Sequence, residues 1–395
     1  MNAINRRTWL RSSLMSVGGA ALLPHLSFGE TAKAPLNMDK EGRALYSPFF
    51  KEYIPANGHE VILKAKLNAN ENPYGPSPKA VAAFREKADL GNRYAWKELL
   101  DLIEKIAEKE GVSRQHLIMG PGSSDLLEKV GMVFFFENGG NVVSADPSYM
   151  SLMKVAEATG AEWKPVPLKE DWSHDLDAME KAIDANTKLV YICNPNNPTG
   201  TITDADALYD FCSRVSEKVP VFVDEAYLDF LPEKDQRSMV SLVSKGKNVI
   251  VARTFSKIHG MAGLRVGYVV GLPETLNRIN KITRGGMGIS LPSVYAAKAS
   301  MDDLEFQNKT RKLNNDTKDY VYKSLKKLGF EYVPSYTNFM IFPIAMEGQA
   351  FLDKMYAQGV GVRSFNILGK DWCRVSMGTM DEMKMFTGAL QDVAG

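Results

Sequence analysis

Between residues 116 and 271 the chain repeats one pattern: a short, almost wholly apolar run, then a longer stretch with helical spacing. The runs are HLIMG (116–120), NVVSA (141–145), LVYIC (189–193), VPVFVD (219–224), NVIVAR (248–253) and RVGYVVG (265–271). Helical segments over 123–136, 148–160 and 204–217 separate most of them. A strand that is apolar at every position has to be buried on both faces. Strand–helix–strand repetition buries it in a mostly parallel sheet covered by helices, which predicts an α/β fold. Sites on such sheets lie at the carboxyl ends of the strands. The polar residues that stand out in this chain follow directly after those runs.

The rest of the chain divides around this block. Residues 35–66 are punctuated by Pro and Gly and read as an N-terminal arm. LNANENPYGPSP (67–78) is a turn-rich loop, followed by helical patterns from Pro78 to Lys87 and over 94–111, the latter closed by Gly111. A large domain is expected over 67–291. A smaller α+β domain is expected over 292–395, entered by a charged helical stretch running to Leu328.

Composition removes some function classes. Lys+Arg 48 against Asp+Glu 47 leaves a formal charge of +1, so no net field draws the chain to nucleic acid or to a stable place on an anionic membrane. The 5 histidines form no pair at metal-ligand spacing, and no metal site is expected. The N-terminus differs from the remainder. NRRTWLRSS precedes the apolar LMSVGGAALLPHLSFG, and Ala32-Lys33-Ala34 offers a small-residue cleavage site, so residues 1–34 read as a signal peptide. Arg6 and Arg7 side by side resemble the twin-arginine motif, although Trp9 and Arg11 depart from its usual residues. An exported, periplasmic protein is expected, carried folded by the twin-arginine machinery. That route suits a chain with only 3 cysteines, Cys193, Cys212 and Cys373, which suggest no disulfide framework.

The residues at the strand ends form a set. Gly120-Pro121-Gly122-Ser123-Ser124 follows one strand and opens a helix, leaving free N–H groups suited to an anion. NPNNPTG (194–200) is a rigid loop that holds Asn197. Asp224 ends an apolar strand, where a carboxylate is costly unless partnered; Tyr227 lies three residues on. Lys257 follows VARTFS, and a desolvated amine there can attack a carbonyl. Ser256 and Arg265 can reach a phosphate. Pyridoxal phosphate asks for this whole set: an aldehyde for lysine, a pyridine nitrogen for a carboxylate, a ring oxygen for Asn and Tyr, and a phosphate.

LNANENPYGPSP, PSYMSL, CNPNNPTG, VDEAYLDF, RTFSKIHGMAGLRVGY and CRVSMGTMDEM stand in the order and spacing of one family. From about residue 60 onward the chain resembles a fold-type I, class I/II pyridoxal-phosphate aminotransferase, and within that class the histidinol-phosphate aminotransferase group. The resemblance implies a cofactor-bonding and proton-transferring role for Lys257, and a ring-nitrogen partner in Asp224. It implies ring-oxygen donors in Asn197 and Tyr227, and a stacking ring in Tyr149. Phosphate contacts would come from Ser123, Ser124, Ser256 and Arg265. Tyr94 would cross from the neighbouring subunit of a homodimer. Arg374 would grip the substrate carboxylate, with Asn70 and Arg363 near the substrate. The implied reaction is ping-pong transfer of an amino group from an amino acid to a 2-oxo acid. The donor stays open. Export points to a free, aromatic or otherwise bulky amino acid, and the subgroup points to histidinol phosphate. Relatives on this fold also decarboxylate or cyclise. A non-catalytic cofactor binder is disfavoured, because the catalytic positions matched are intact.

Overall fold

Seven strands form the main sheet, in the order Leu117–Gly120, Gly267–Val270, Val249–Thr254, Val221–Asp224, Thr187–Cys193, Asn141–Asp146 and Glu162–Pro167. Gly267–Val270 runs antiparallel to both its neighbours, and the other pairings across the sheet are parallel. The structure, a computed structural model, describes residues 37–40, 43–56, 61–136, 139–232, 234–283 and 285–394. The expected signal peptide over 1–34 lies outside them. Met38–Gly395 is one compact unit.

The central strands are buried at every position but Lys188, because Val, Ile, Phe and Tyr point to both faces and helices cover both. Glu162–Pro167 was not expected as a strand. It is the edge strand, buried only at Trp163 and Val166 and carrying two prolines, so it has no continuous apolar run. Register brings the strand ends level: Cys193 pairs with Asp224, and Asp224 with Ala252. Gly120, Asp146, Cys193, Asp224 and Thr254 therefore finish along one rim.

The layer over this sheet extends further than the sequence pattern predicts. Helix Leu291–Met301 packs its Leu291, Val294, Ala296, Ala297 and Met301 into the large core. The chain breaks at Asp302–Asp303, and the charged helix Leu304–Lys327 begins there, with Asp303 as its N-cap. Treating 292–328 as one charged stretch hid the apolar first helix.

A second sheet runs Ala44–Leu45, Phe50–Glu52, Arg363–Ile367, Lys370–Ser376, Phe339–Pro343. The expected arm is thus partly strand, and its Phe50–Glu52 pairs antiparallel with Arg363–Ile367. Ser47 fixes this segment to the main sheet. Its hydroxyl donates to Asp146 Oδ2 at 2.7 Å and accepts the Phe50 amide at 2.9 Å.

Candidate active site

A cavity of about 600 Å³ opens at the rim of the main sheet and is walled on one side by the second sheet. Its near end is an anion cradle. Helix Ser123–Phe135 starts after Gly122, whose φ of 92° a side chain would not tolerate. A Cβ there would lie 2.2 Å from the Arg265 guanidinium, and one at Gly267 would lie 2.4 Å from the Ser123 amide. The glycines let a helix start, a strand and an arginine crowd together. Arg265 takes φ 53° and donates to Ala262 O at 2.8 Å and Pro121 O at 3.2 Å. Ser123, Ser124, Ser256 and Arg265 all line the cavity. Tyr149 lines it too, with its hydroxyl 3.3 Å from Ser124 Oγ.

The floor carries the reactive groups. Lys257 Nζ donates to Asn70 O at 3.0 Å and sits 5.4 Å from the centroid of the Tyr227 ring. Burial, and then the charge of Arg374, lower its pKa to about 8, while Glu71 and Asp224 act the other way. Asp224 accepts from the Ala226 amide at 3.1 Å and the Tyr191 hydroxyl at 3.2 Å. Burial nevertheless raises its pKa to about 6. Tyr227 is buried, and its hydroxyl accepts from Asn70 Nδ2 at 3.0 Å. Asn70 itself is held in the left-handed region, φ 52°. Its amide donates to Ser376 Oγ at 2.9 Å, and its Oδ1 accepts from the same hydroxyl at 2.8 Å.

The far end carries two arginines on adjacent strands, with Arg363 and Arg374 as register partners. Arg374 is 5% exposed and lies between the Phe339 and Phe365 rings, at 5.3 and 5.5 Å. Nη1 donates to Asn197 Oδ1 at 2.7 Å and Nη2 to Asn68 O at 3.2 Å, while Nε has no partner among the described residues. Among the described residues no carboxylate stands within ion-pair distance of it. Burial and the neighbouring Arg363 lower its pKa to about 10. Arg363 differs, being paired with Glu52 at 2.5 Å.

The expected residues therefore converge, with one exception. Tyr94 is 69% exposed and lies outside the cavity, its ring 6.2 Å from that of Trp96. The sequence pattern missed Tyr191, Glu52, Tyr46, Phe50 and Lys154. Tyr191 was read as one more apolar strand position. The others sit where no local spacing links them to the site.

The geometry fits pyridoxal phosphate at three separate points. An amine of lowered basicity, a buried carboxylate and an anion cradle that a single Cβ would fill face one cavity. Fold and site together define a pyridoxal-phosphate-dependent aminotransferase of fold type I. Residues 63–390 match the family "Aminotransferase class I and II", and the chain belongs to it. It is 37% identical to the histidinol-phosphate aminotransferase of Moorella thermoacetica over 87% of this chain and 90% of that one. It resembles the structure of histidinol-phosphate aminotransferase from Sinorhizobium meliloti in complex with pyridoxal-5'-phosphate, with TM-score 0.78 and 29% identity over 84% of this chain and 91% of that one. The aspartate aminotransferase of Thermus thermophilus with maleate shares the fold, with TM-score 0.73 and 19% identity over 85% and 92%.

Proposed function

We infer that this aminotransferase moves an amino group between a free amino acid with a large, preferably aromatic side chain and a 2-oxo acid, and that it works outside the cytoplasm. One observation carries the substrate reading: Arg374, a buried guanidinium with an unpartnered Nε, in the same cavity as Lys257. Such a group calls for an anion, and a fork of N–H donors suits a carboxylate as it suits a phosphate. Amino acids and 2-oxo acids share that carboxylate.

When bound, the cofactor supplies the electron sink that makes a donor's α-proton removable. The chain's own residues supply the rest. Lys257 would bond to the aldehyde carbon and, when displaced, hold the α-proton on Nζ; a pKa near 8 leaves about a tenth of the amine neutral at pH 7 and most of it above pH 8. Asp224 would keep the ring nitrogen protonated. Tyr227 would donate to the ring oxygen. Arg374 donates to Asn197 Oδ1, so the Asn197 amide N–H groups would be left to donate to the same oxygen. Tyr149 would cover the ring face. Ser123, Ser124, Ser256 and Arg265 would hold the phosphate, with Tyr94 reaching over from the partner subunit of a homodimer.

The names of the similar proteins favour a second donor, histidinol phosphate, which offers Arg374 a phosphate in place of a carboxylate. A panel of aromatic and aliphatic amino acids with histidinol phosphate separates the two. Arg374→Ala is expected to raise KM for amino and 2-oxo acids at least about 100-fold, consistent with loss of a buried charge pair. An unchanged KM, or turnover of histidinol phosphate alone, would remove the free-acid reading.

Export rests on Arg6-Arg7 ahead of the short apolar run. Periplasmic fractions are expected to hold a dimer by sedimentation, and Arg6→Lys with Arg7→Lys should retain it in the cytoplasm. Active monomer, or unchanged sorting, would remove the corresponding part of the proposal.

A further inference from the structure

Beyond Arg374 the cavity is bordered by residues far apart in sequence. Tyr46, Phe50 and Glu52 come from the N-terminal strand segment, Lys154 from helix Ser151–Ala158, and Arg363 and Phe365 from one strand. A donor gripped at Arg374 has its side chain bounded by this wall.

The wall contains two cations: Arg363 is ion-paired with Glu52, and Lys154 lies over an aromatic ring with no carboxylate ion pair among the described residues. Arg363 Nη1 lies 2.5 Å from Glu52 Oε1, and its Nε donates to Asn68 O at 2.8 Å. The Lys154 ammonium sits 4.3 Å from the centroid of the Tyr46 ring. The Tyr46 hydroxyl donates to the other oxygen of Glu52. Ammonium, ring, carboxylate and guanidinium form one chain with Glu52 in the middle. Glu52 is 5% exposed, and its burial is tolerable because both oxygens are partnered. Strand register builds the pair. Glu52 lies opposite Phe365, so Arg363, two residues along, is its diagonal neighbour. What remains of the wall is aromatic, with Tyr46–Phe50 centroids at 4.9 Å and Phe50–Phe365 at 5.5 Å.

Without Glu52 this wall would be an anion trap of Arg363 and Lys154 beside Arg374. With it, a phosphate or second carboxylate must compete with a buried ion pair and meet a like charge. We propose that Glu52 sets side-chain specificity here: it neutralises Arg363, weakens the wall's hold on donors that end in phosphate or carboxylate, and leaves aromatic surface for an uncharged, flat side chain. The proposal rests on the reading of the site as one for free amino acids.

Calorimetry on the cofactor-loaded enzyme tests it with 3-phenylpropionate, glutarate and 3-phosphonopropionate, which differ at the distal end. The natural protein is expected to bind 3-phenylpropionate most tightly. Glu52→Gln should cut the preference for 3-phenylpropionate over 3-phosphonopropionate at least about tenfold. Adding Arg363→Gln to it should restore much of that preference, because the freed guanidinium is gone. An unchanged ratio in Glu52→Gln overturns the proposal. So does a natural protein that binds the phosphonate more tightly, a ranking that needs no variant to fold. If the ratio shifts but the natural enzyme transaminates no free amino acid, the free-acid reading fails and the charge role of Glu52 stands.

Discussion

Lys257→Ala is expected to lower turnover at least about 10⁴-fold, the combined loss of a covalent anchor and a proton carrier. Two features of its surroundings make this amine the reactive one. It is desolvated at the sheet rim, and Arg374 adds a repelling positive charge, so its pKa falls to about 8 from an ordinary 10.5. Its hydrogen bond to Asn70 O holds Nζ without neutralising it. In the cofactor-free protein Lys257 is therefore protonated and inert well below pH 8, and neutral and nucleophilic above it. Amine-selective labelling read by peptide mass should show a midpoint near that pH at Lys257, with exposed lysines reacting only at higher pH. Borohydride reduction of the loaded protein should add the cofactor's mass to the peptide containing Lys257, and to none in the alanine variant. A reducible adduct that survives in Lys257→Ala would place the covalent link elsewhere.

The cofactor end of the site was legible in the sequence because its residues follow directly after apolar strands. Asp224, Asn197 and Lys257 each stand within a few residues of a run that has to be buried, and parallel pairing brings those ends together. The substrate end was only half legible. Arg374 could be placed through its motif, but what it faces could not. Glu52 and Arg363 are 311 positions apart, and nothing in KEYIP signals that its glutamate would be buried. The arm's strands Ala44–Leu45 and Phe50–Glu52 are two and three residues long, below the length at which alternation becomes visible, and the second pairs with a partner from the far end of the chain. Tyr191 was hidden for the opposite reason: a tyrosine in an apolar run looks like core, and only the structure shows its hydroxyl on Asp224. Local periodicity reports burial, whereas the partner of a buried polar group is set by tertiary register.

Asp224→Asn is the second large effect, and it should move activity and stability in opposite directions. Turnover is expected to fall at least about 10³-fold, because an amide cannot keep the ring nitrogen protonated by charge, and preorganised electrostatics of this kind carries that order of effect. Stability of the cofactor-free protein is expected to rise. Burial lifts the Asp224 pKa from 3.8 to about 6, against the pull of Ala226, Tyr191 and Lys257. A carboxyl with a raised folded pKa binds its proton more tightly in the native state. Its contribution thus turns unfavourable as pH rises from about 4 to about 6, and the penalty is complete above that. The shift corresponds to about 3 kcal/mol at neutral pH. Asparagine is uncharged; its single Oδ1 can keep the Ala226 amide bond that Asp224 Oδ1 accepts, and its Nδ2 can donate to the Tyr191 oxygen in place of the bond that Asp224 Oδ2 accepts. Urea unfolding without cofactor should therefore find the variant more stable at pH 7.5, and close to the natural protein at pH 4. A variant less stable at pH 7.5 would mean that the two hydrogen bonds outweigh desolvation and that the carboxylate rests comfortably without a cation. The expected sign means instead that the fold keeps a buried carboxylate at a cost, which a protonated ring nitrogen would relieve on cofactor binding.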